Sequence, residues 1–156
     1  MLKLEKFLPY QLSVLSNLMS HGIALTYEER FDLSVTEWRV IAILGRHPGI
    51  TATEVARRAA MDKVAVSRAV SRLLAADRLQ RKEDRYDGRA RRLFLSPAGL
   101  HIHDTIVPAA LEFERLMLES LDDEQRRCFM AAVERLTQAA QRHEQGGRDV
   151  SGASVR

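Results

Sequence analysis

Apolar residues recur at helical spacing along most of this 156-residue chain, and one Arg-rich stretch breaks the pattern. From Pro9 to about Glu29 the apolar side falls at Leu12, Leu15, Leu18, Met19, Gly22, Ile23 and Thr26, which predicts a long first helix. Pro9 suits its first turn, where a missing N–H costs nothing. Few charges fall between Gln11 and Thr26, and apolar residues lie on several sides, so this helix is expected to meet a partner as well as its own core. The second helix opens at FDLSVTEW: Ser34 is the expected N-cap, Glu37 completes a capping box, and Leu33 and Trp38 occupy the staple positions. It continues through Val40, Ile41, Ile43 and Leu44 and stops at Gly45 or at His47-Pro48-Gly49.

The same pattern repeats at ITATEV, where Thr51 caps, Glu54 returns the bond and Ile50 can staple to Val55. The third helix is therefore short, from Ala52 to about Ala60, with Val55, Ala56 and Ala59 inward. Asp62 caps a fourth helix whose inward stripe is Val66, Ala69, Val70, Leu73 and Leu74. Two short helices joined by a tight turn make a helix-turn-helix. LQRKED and RRLFL then flank RYDGRA as two strands, with Asp87-Gly88 as the turn. Ser96-Pro97 starts a fifth helix, which Pro108 is expected to kink or interrupt. A sixth starts at Asp122 with Gln125 at its third position and carries a stripe of Phe129, Val133, Leu136 and Ala140. GGRDVSGASVR, residues 146–156, reads as a disordered tail.

Composition, with 46% hydrophobic and 29% charged residues, is that of an ordinary globular chain with enough apolar material for a core. The charge is unevenly placed. Residues 50–96 hold 12 Lys and Arg against 6 Asp and Glu, whereas the remainder holds 12 against 15. Such a distribution is expected when one part of a protein faces phosphates. No apolar run approaches the roughly 20 residues of a membrane span, and the N-terminus lacks a signal-peptide pattern. A single cysteine, Cys128, allows no intrachain disulfide, which fits a reducing cytoplasm.

Opposite its inward stripe the fourth helix carries Lys63, Val64, Ser67, Arg68, Ser71 and Arg72. Arg and Lys suit guanine or phosphate, Ser either, and a Val methyl can meet a thymine methyl. A merely solvated basic face would look the same, and the helix alone does not separate the two. The hairpin does. Arg78, Arg81, Lys82, Arg85, Arg89, Arg91 and Arg92 are all basic, and Arg85 and Arg89 stand near the tip, where an arm can enter a narrow minor groove. The expected DNA-facing set is Thr51, Thr53, Lys63, Val64, Ser67, Arg68, Ser71, Arg72, Arg85, Asp87, Arg89 and Arg91.

The stretch VARRAAMDKVAVSRAVSRLLAADRLQRKEDRYDGRARRLFLSPAG resembles the winged-helix core of the MarR (multiple antibiotic resistance regulator) family. The likeness rests on Val66-Ser67-Arg68 in the fourth helix, on the D-x-R of Asp87-Gly88-Arg89, and on L-x-L-S-x-x-G from Leu93 to Gly99. It extends, by order and length of helices, over about Pro9 to Glu144. The resemblance implies an obligate homodimer with the fourth helix in the major groove of double-stranded DNA and the wing in the minor groove. It makes Arg89 the minor-groove residue and Asp87 the side chain that orients the wing. Two positions depart from the family: Asp77 and Ala60 stand where Gly is common.

The expected fold class is thus mainly α with a small β-wing, a winged helix-turn-helix over 33–96 embedded in a helical dimerisation frame, 1–32 and 97–145. Family members hold small aromatic anions between frame and winged helix, and here His21, Tyr27, Trp38, Arg39 and Arg46 are the candidates. Trp38 has its staple role as a competing explanation. An acyl-CoA thioester of an aromatic acid would also suit a basic rim, with Arg39, Arg46 or Arg115 as contacts.

No cofactor is expected, and no catalytic motif is present. His101 and His103, two apart on a helix, point about 200° from each other and cannot share a metal as an i, i+4 pair does. A zinc sensor would need folding to gather His21, His47 and His143. Cys128, among apolar neighbours, reads as a buried small hydrophobe more than a redox switch. The expected function is a cytoplasmic, ligand-responsive transcriptional regulator, a repressor by preference. The alternatives are a ligand-blind architectural DNA binder and a metal- or redox-sensing regulator of the same fold.

Overall fold

The computed structural model describes residues 2–83 and 91–152, with side chains described as far as residue 143. The chain forms two compact units, residues 1–113 and 114–156. In the first, a 3-10 turn at Leu4–Lys6 precedes α1 (Leu8–Ala24), α2 (Glu28–Phe31), α3 (Val35–Arg46), α4 (Ala52–Ala59) and α5 (Lys63–Ala75). Strands β1 (Leu79–Glu83) and β2 (Arg91–Leu95) follow, then α6 (Pro97–Leu118), which carries the chain into the second unit, and α7 (Asp123–Gly152).

Local chemistry sets where these helices begin. Ser34 Oγ accepts the Glu37 N–H at 3.3 Å, and Glu37 returns a carboxylate oxygen to the Ser34 N–H at 2.8 Å. Thr51 and Glu54 repeat the arrangement at 3.2 and 2.8 Å. Asp62 Oδ1 accepts from the N–H groups of Val64 and Ala65, both at 2.9 Å. Each cap satisfies donors that a helix start leaves orphaned. Asp122 and Gln125 do the same for α7, through Gln125 N–H to Asp122 Oδ1 at 2.8 Å and the reciprocal bond at 3.0 Å.

The core of the first unit gathers Val40, Ile41 and Leu44 from α3, Val55 and Ala56 from α4, Val66, Ala69, Val70 and Leu73 from α5, and Leu79 and Leu93 from the strands. Ala24, Tyr27, Leu33, Trp38, Ile102 and Ile106 join them. Fully burying each large apolar side chain contributes about 1.5–3 kcal/mol. Leu74, expected in the α5 stripe, is only partly buried at its edge. β1 and β2 pair antiparallel, Leu79 opposite Leu95 through Glu83 opposite Arg91. Beyond β2 the chain at Ile50 forms a further bridge to Leu93, so β2 is held on both sides.

Four expectations need correction. The first helix stops at Ala24, five residues short of Glu29, because the chain turns to put Tyr27 into the core and resumes as the short α2. α6 runs unbroken through Pro108; the proline withdraws one N–H, but the turns on either side carry the helix across. α7 continues helical to Gly152, through most of the stretch expected to be disordered, since extending a formed helix is far easier than nucleating one. Cys128 is exposed, not buried, because the stripe of α7 itself, with Phe129, Val133 and Leu136, is exposed in the single chain. The expected wing tip, with Arg85, Asp87 and Arg89, lies outside the described residues.

Candidate nucleic-acid interface

α5 separates its two sides cleanly. Val66, Ala69, Val70 and Leu73 are buried, while Lys63, Val64, Ser67, Arg68, Ser71 and Arg72 are all exposed. Val64 leaves 56% of its surface in water, an apolar side chain presented outward between Lys63 and the Ser67–Arg68 pair. The Asp62 cap sets this register, because it fixes the first residue of the helix and so the angle of every later side chain. Ser71 Oγ donates to the Ser67 carbonyl at 3.0 Å, so part of its hydrogen-bonding capacity is used within the helix.

Arg72 is exposed and also lines a cavity of about 610 Å³ with Glu28, Asp32, Leu33, Ser34, Glu37, Ala76 and Arg78. It thus stands at the margin of the α5 surface, beside carboxylates, whereas Lys63 and Arg68 belong to its N-terminal half.

At the start of α4, Thr53 is exposed, but the Thr51 hydroxyl is taken up by the capping box and the residue is half-buried. The basic residues of the hairpin divide in a way that the sequence did not announce. Arg78 donates to the carbonyls of Phe31 at 2.6 Å and Asp32 at 3.4 Å. The ammonium of Lys82 sits 4.9 Å from the centroid of Phe94. Arg91 is paired with Glu83 across the strands, and Arg92 donates to the Gly49 carbonyl at 3.2 Å. Of the five basic hairpin residues among the described ones, four thus have structural partners, so counting charges overstates what they offer a ligand. The partners of Arg78 lie 46 and 47 residues away, beyond what local spacing can reveal.

The residues proposed for a small molecule separate likewise. Tyr27 and Trp38 lie together, ring centroids 5.8 Å apart, both within the core. Burial pushes the Tyr27 phenol up to about 12; the Glu28 carboxylate adds to the rise and the Arg39 guanidinium opposes it. Its hydroxyl is buried and has no hydrogen-bond partner among the described residues. Arg39 is half-buried and donates to Ser20 Oγ at 2.9 Å, which ties α3 to α1. His21 and Arg46 are exposed and take no part in this cluster.

His103, whose spacing from His101 suggested only a metal ligand, belongs here instead: its ring lies 6.4 Å from Trp38. It packs so tightly on α3 that a Cβ on Gly45 would fall 2.3 Å from His103 Nε2. The local signal for this packing is Gly45, which lies in the last turn of α3 and makes room for the ring instead of ending the helix. The cavity of about 610 Å³ opens on the α2–α5 side and is lined by none of His21, Tyr27, Trp38, Arg39 or Arg46. Among the described residues no three His, Cys, Asp or Glu side chains gather as a metal set, and no helix is long and apolar enough to cross a membrane.

A capped helix pair, an outward polar face on its second helix and a two-stranded hairpin define a winged helix-turn-helix. Residues 31–90 match the model of the MarR family, and the structure has the fold of MarR-family transcriptional regulators. A MarR/EmrR family regulator from Acinetobacter sp. ADP1 superposes with a TM-score of 0.81 at 20% identity, covering 90% of this chain and 99% of that one. PcaV from Streptomyces coelicolor, solved in complex with its natural ligand, gives 0.75 at 21% identity over 90% and 98%. MepR from S. aureus, solved as a DNA complex, gives 0.77 at 18% identity over 87% and 98%. At these identities the likeness is one of fold. No curated protein matches the chain in sequence.

Proposed function

We propose that this protein is a cytoplasmic, homodimeric transcriptional regulator and not an enzyme. It binds a palindromic operator, represses nearby genes, and is released by a small aromatic acid or its CoA thioester. The observation that carries the DNA-binding part is the α5 surface: Lys63, Val64, Ser67 and Arg68 exposed on a helix whose opposite side is locked into the core. Arg85, Asp87, Arg89 and Arg91 are the proposed wing contacts, and Thr53 and Ser71 secondary ones. That a structure of this fold was solved with DNA supports the reading, as does one solved with its natural ligand.

Homodimerisation is supported by apolar surface that a single chain leaves in water. On α1, Leu8, Leu12, Leu15 and Leu18 are exposed, and on α7, Phe129, Met130, Val133 and Leu136. Such apolar faces call for a covering partner. In a dimer the two copies of α5 would enter major grooves about one helical turn apart.

The effector part rests on Tyr27, Trp38 and Arg39, an aromatic wall with a cation beside it. This wall is packed shut, which favours a second reading, a ligand-blind architectural DNA binder. One experiment separates them. Selection of bound duplexes from a random pool, followed by a thermal-shift screen of aromatic acids and their CoA esters, should give an enriched palindrome and a compound that both stabilises the protein and weakens its hold on that palindrome. Enrichment without any such compound would leave the architectural reading. Failure of the protein to bind any duplex at low salt would remove both.

A further inference from the structure

The root of the wing carries a charged contact that the DNA-binding role does not require. Arg92 lies on β2 directly opposite Lys82 on β1, an arrangement of like charges that by itself repels. Its guanidinium turns instead toward the start of α4. Nη1 is 3.2 Å from the Gly49 carbonyl and 3.7 Å from Glu54 Oε2. The same Glu54 oxygen accepts from the Thr51 N–H at 2.8 Å and the Thr51 hydroxyl at 3.0 Å, so one carboxylate joins the α4 cap to the wing strand. Two backbone bonds run alongside, Gly49 N–H to the Leu93 carbonyl at 2.8 Å and Leu93 N–H to the Ile50 carbonyl at 3.0 Å. The Thr51 bonds, and then the Arg92 and Arg58 cations, hold the Glu54 carboxyl below its ordinary range, so it is ionised at neutral pH.

We infer that Glu54 and Arg92 are positioning residues for DNA recognition: their contact fixes the wing root to the start of α4, so that hairpin and helix pair meet DNA as one rigid piece. This rests on the DNA-binding reading above. It predicts a sign that simple electrostatics does not. Glu54→Gln keeps an amide oxygen for the Thr51 cap and removes one negative charge, which charge alone would turn into tighter binding of DNA. A positioning role turns it into weaker binding.

The test measures affinity for the duplex selected by the wild-type protein, using the full-length chain, E54Q, R92Q and the double variant. The expected result is about a fivefold loss in each single variant and no further loss in the double, as for two residues acting through one contact. R92Q should keep the wild-type salt dependence, whereas loss of a phosphate contact would lower the slope by about 0.9. Tighter or unchanged binding by E54Q overturns the inference, and so does a reduced slope in R92Q. If R92Q fails to fold, E54Q carries the test alone, since its cap is retained. A wild-type chain that selects no duplex fails the DNA reading, not this contact. The contact is then judged by urea melts of the foldable variants: strictly additive losses, or no loss in E54Q where only it folds, overturn it.

Discussion

Gly99 lies directly under the carbonyl of Arg78: a Cβ at position 99 would fall 2.0 Å from that oxygen. The same oxygen accepts the Ser96 N–H at 3.1 Å, and the Ser96 hydroxyl donates to the Asp77 carbonyl at 2.6 Å while accepting the Gly99 N–H at 3.0 Å. The start of α6 is thereby joined to the turn that leaves α5. This accounts physically for the S-x-x-G part of the L-x-L-S-x-x-G motif: a hydroxyl that caps and bridges, then a residue with no side chain.

Gly99→Ala should therefore cost about 3 kcal/mol, because the obstruction is backbone and cannot swing aside. A urea midpoint within a few tenths of a molar of the parent would show that α6 shifts freely, contrary to this packing.

Ala60 closes α4 in the left-handed region at φ 49°, a conformation that disfavours a Cβ. Ala60→Gly relieves it, partly offset by the greater freedom of glycine in the unfolded chain. A gain of about 0.5–1 kcal/mol is expected in thermal or urea unfolding. Asp77, at φ 52°, occupies the same region at the end of α5. Its replacement by Gly should gain less, since Asp tolerates that region better than Ala.

Tyr27 sets a pH dependence. Its phenol titrates near 10 when unfolded and about 12 when folded. The folded state therefore holds the proton more tightly, and the stability linked to it is fully present below pH 10 and is lost as pH rises towards 12. Tyr27→Phe should remove this alkaline loss. At neutral pH it should be neutral or slightly stabilising, because the buried hydroxyl has no partner to lose among the described residues. A loss above about 1 kcal/mol at neutral pH would point to a hydrogen bond formed in the assembled protein.

On the proposed reading, Arg68→Ala costs about 1–3 kcal/mol on the selected duplex and little on random DNA, the mark of a base contact. Equal losses on both would make Arg68 a phosphate contact, and affinity unchanged on either would withdraw it from the interface. Lys63→Ala is expected to show the phosphate pattern, weakening both duplexes alike and lowering the salt slope by about one.

The helix starts were legible in the sequence because their causes are local. Ser34 with Glu37, Thr51 with Glu54, and Asp62 with the two N–H groups beyond it each act within three residues, and the structure has all three. So was the inward stripe of α5, since a capped helix leaves no choice of phase.

What the sequence by itself determined is therefore the order of elements, the winged helix-turn-helix they make, and which side of α5 faces outward, all consequences of contacts between near neighbours. Tertiary structure alone decided the fate of charges and aromatics whose partners are distant in the chain. Arg78 serves carbonyls of the α2 end, Arg92 joins Glu54, and His103 reaches Trp38 and the backbone at Gly45. Tyr27 went inside rather than lining an open cavity. The reason is reach: a guanidinium or an imidazole takes whichever partner the fold brings within a few ångströms, and nothing in its own neighbourhood of sequence says which.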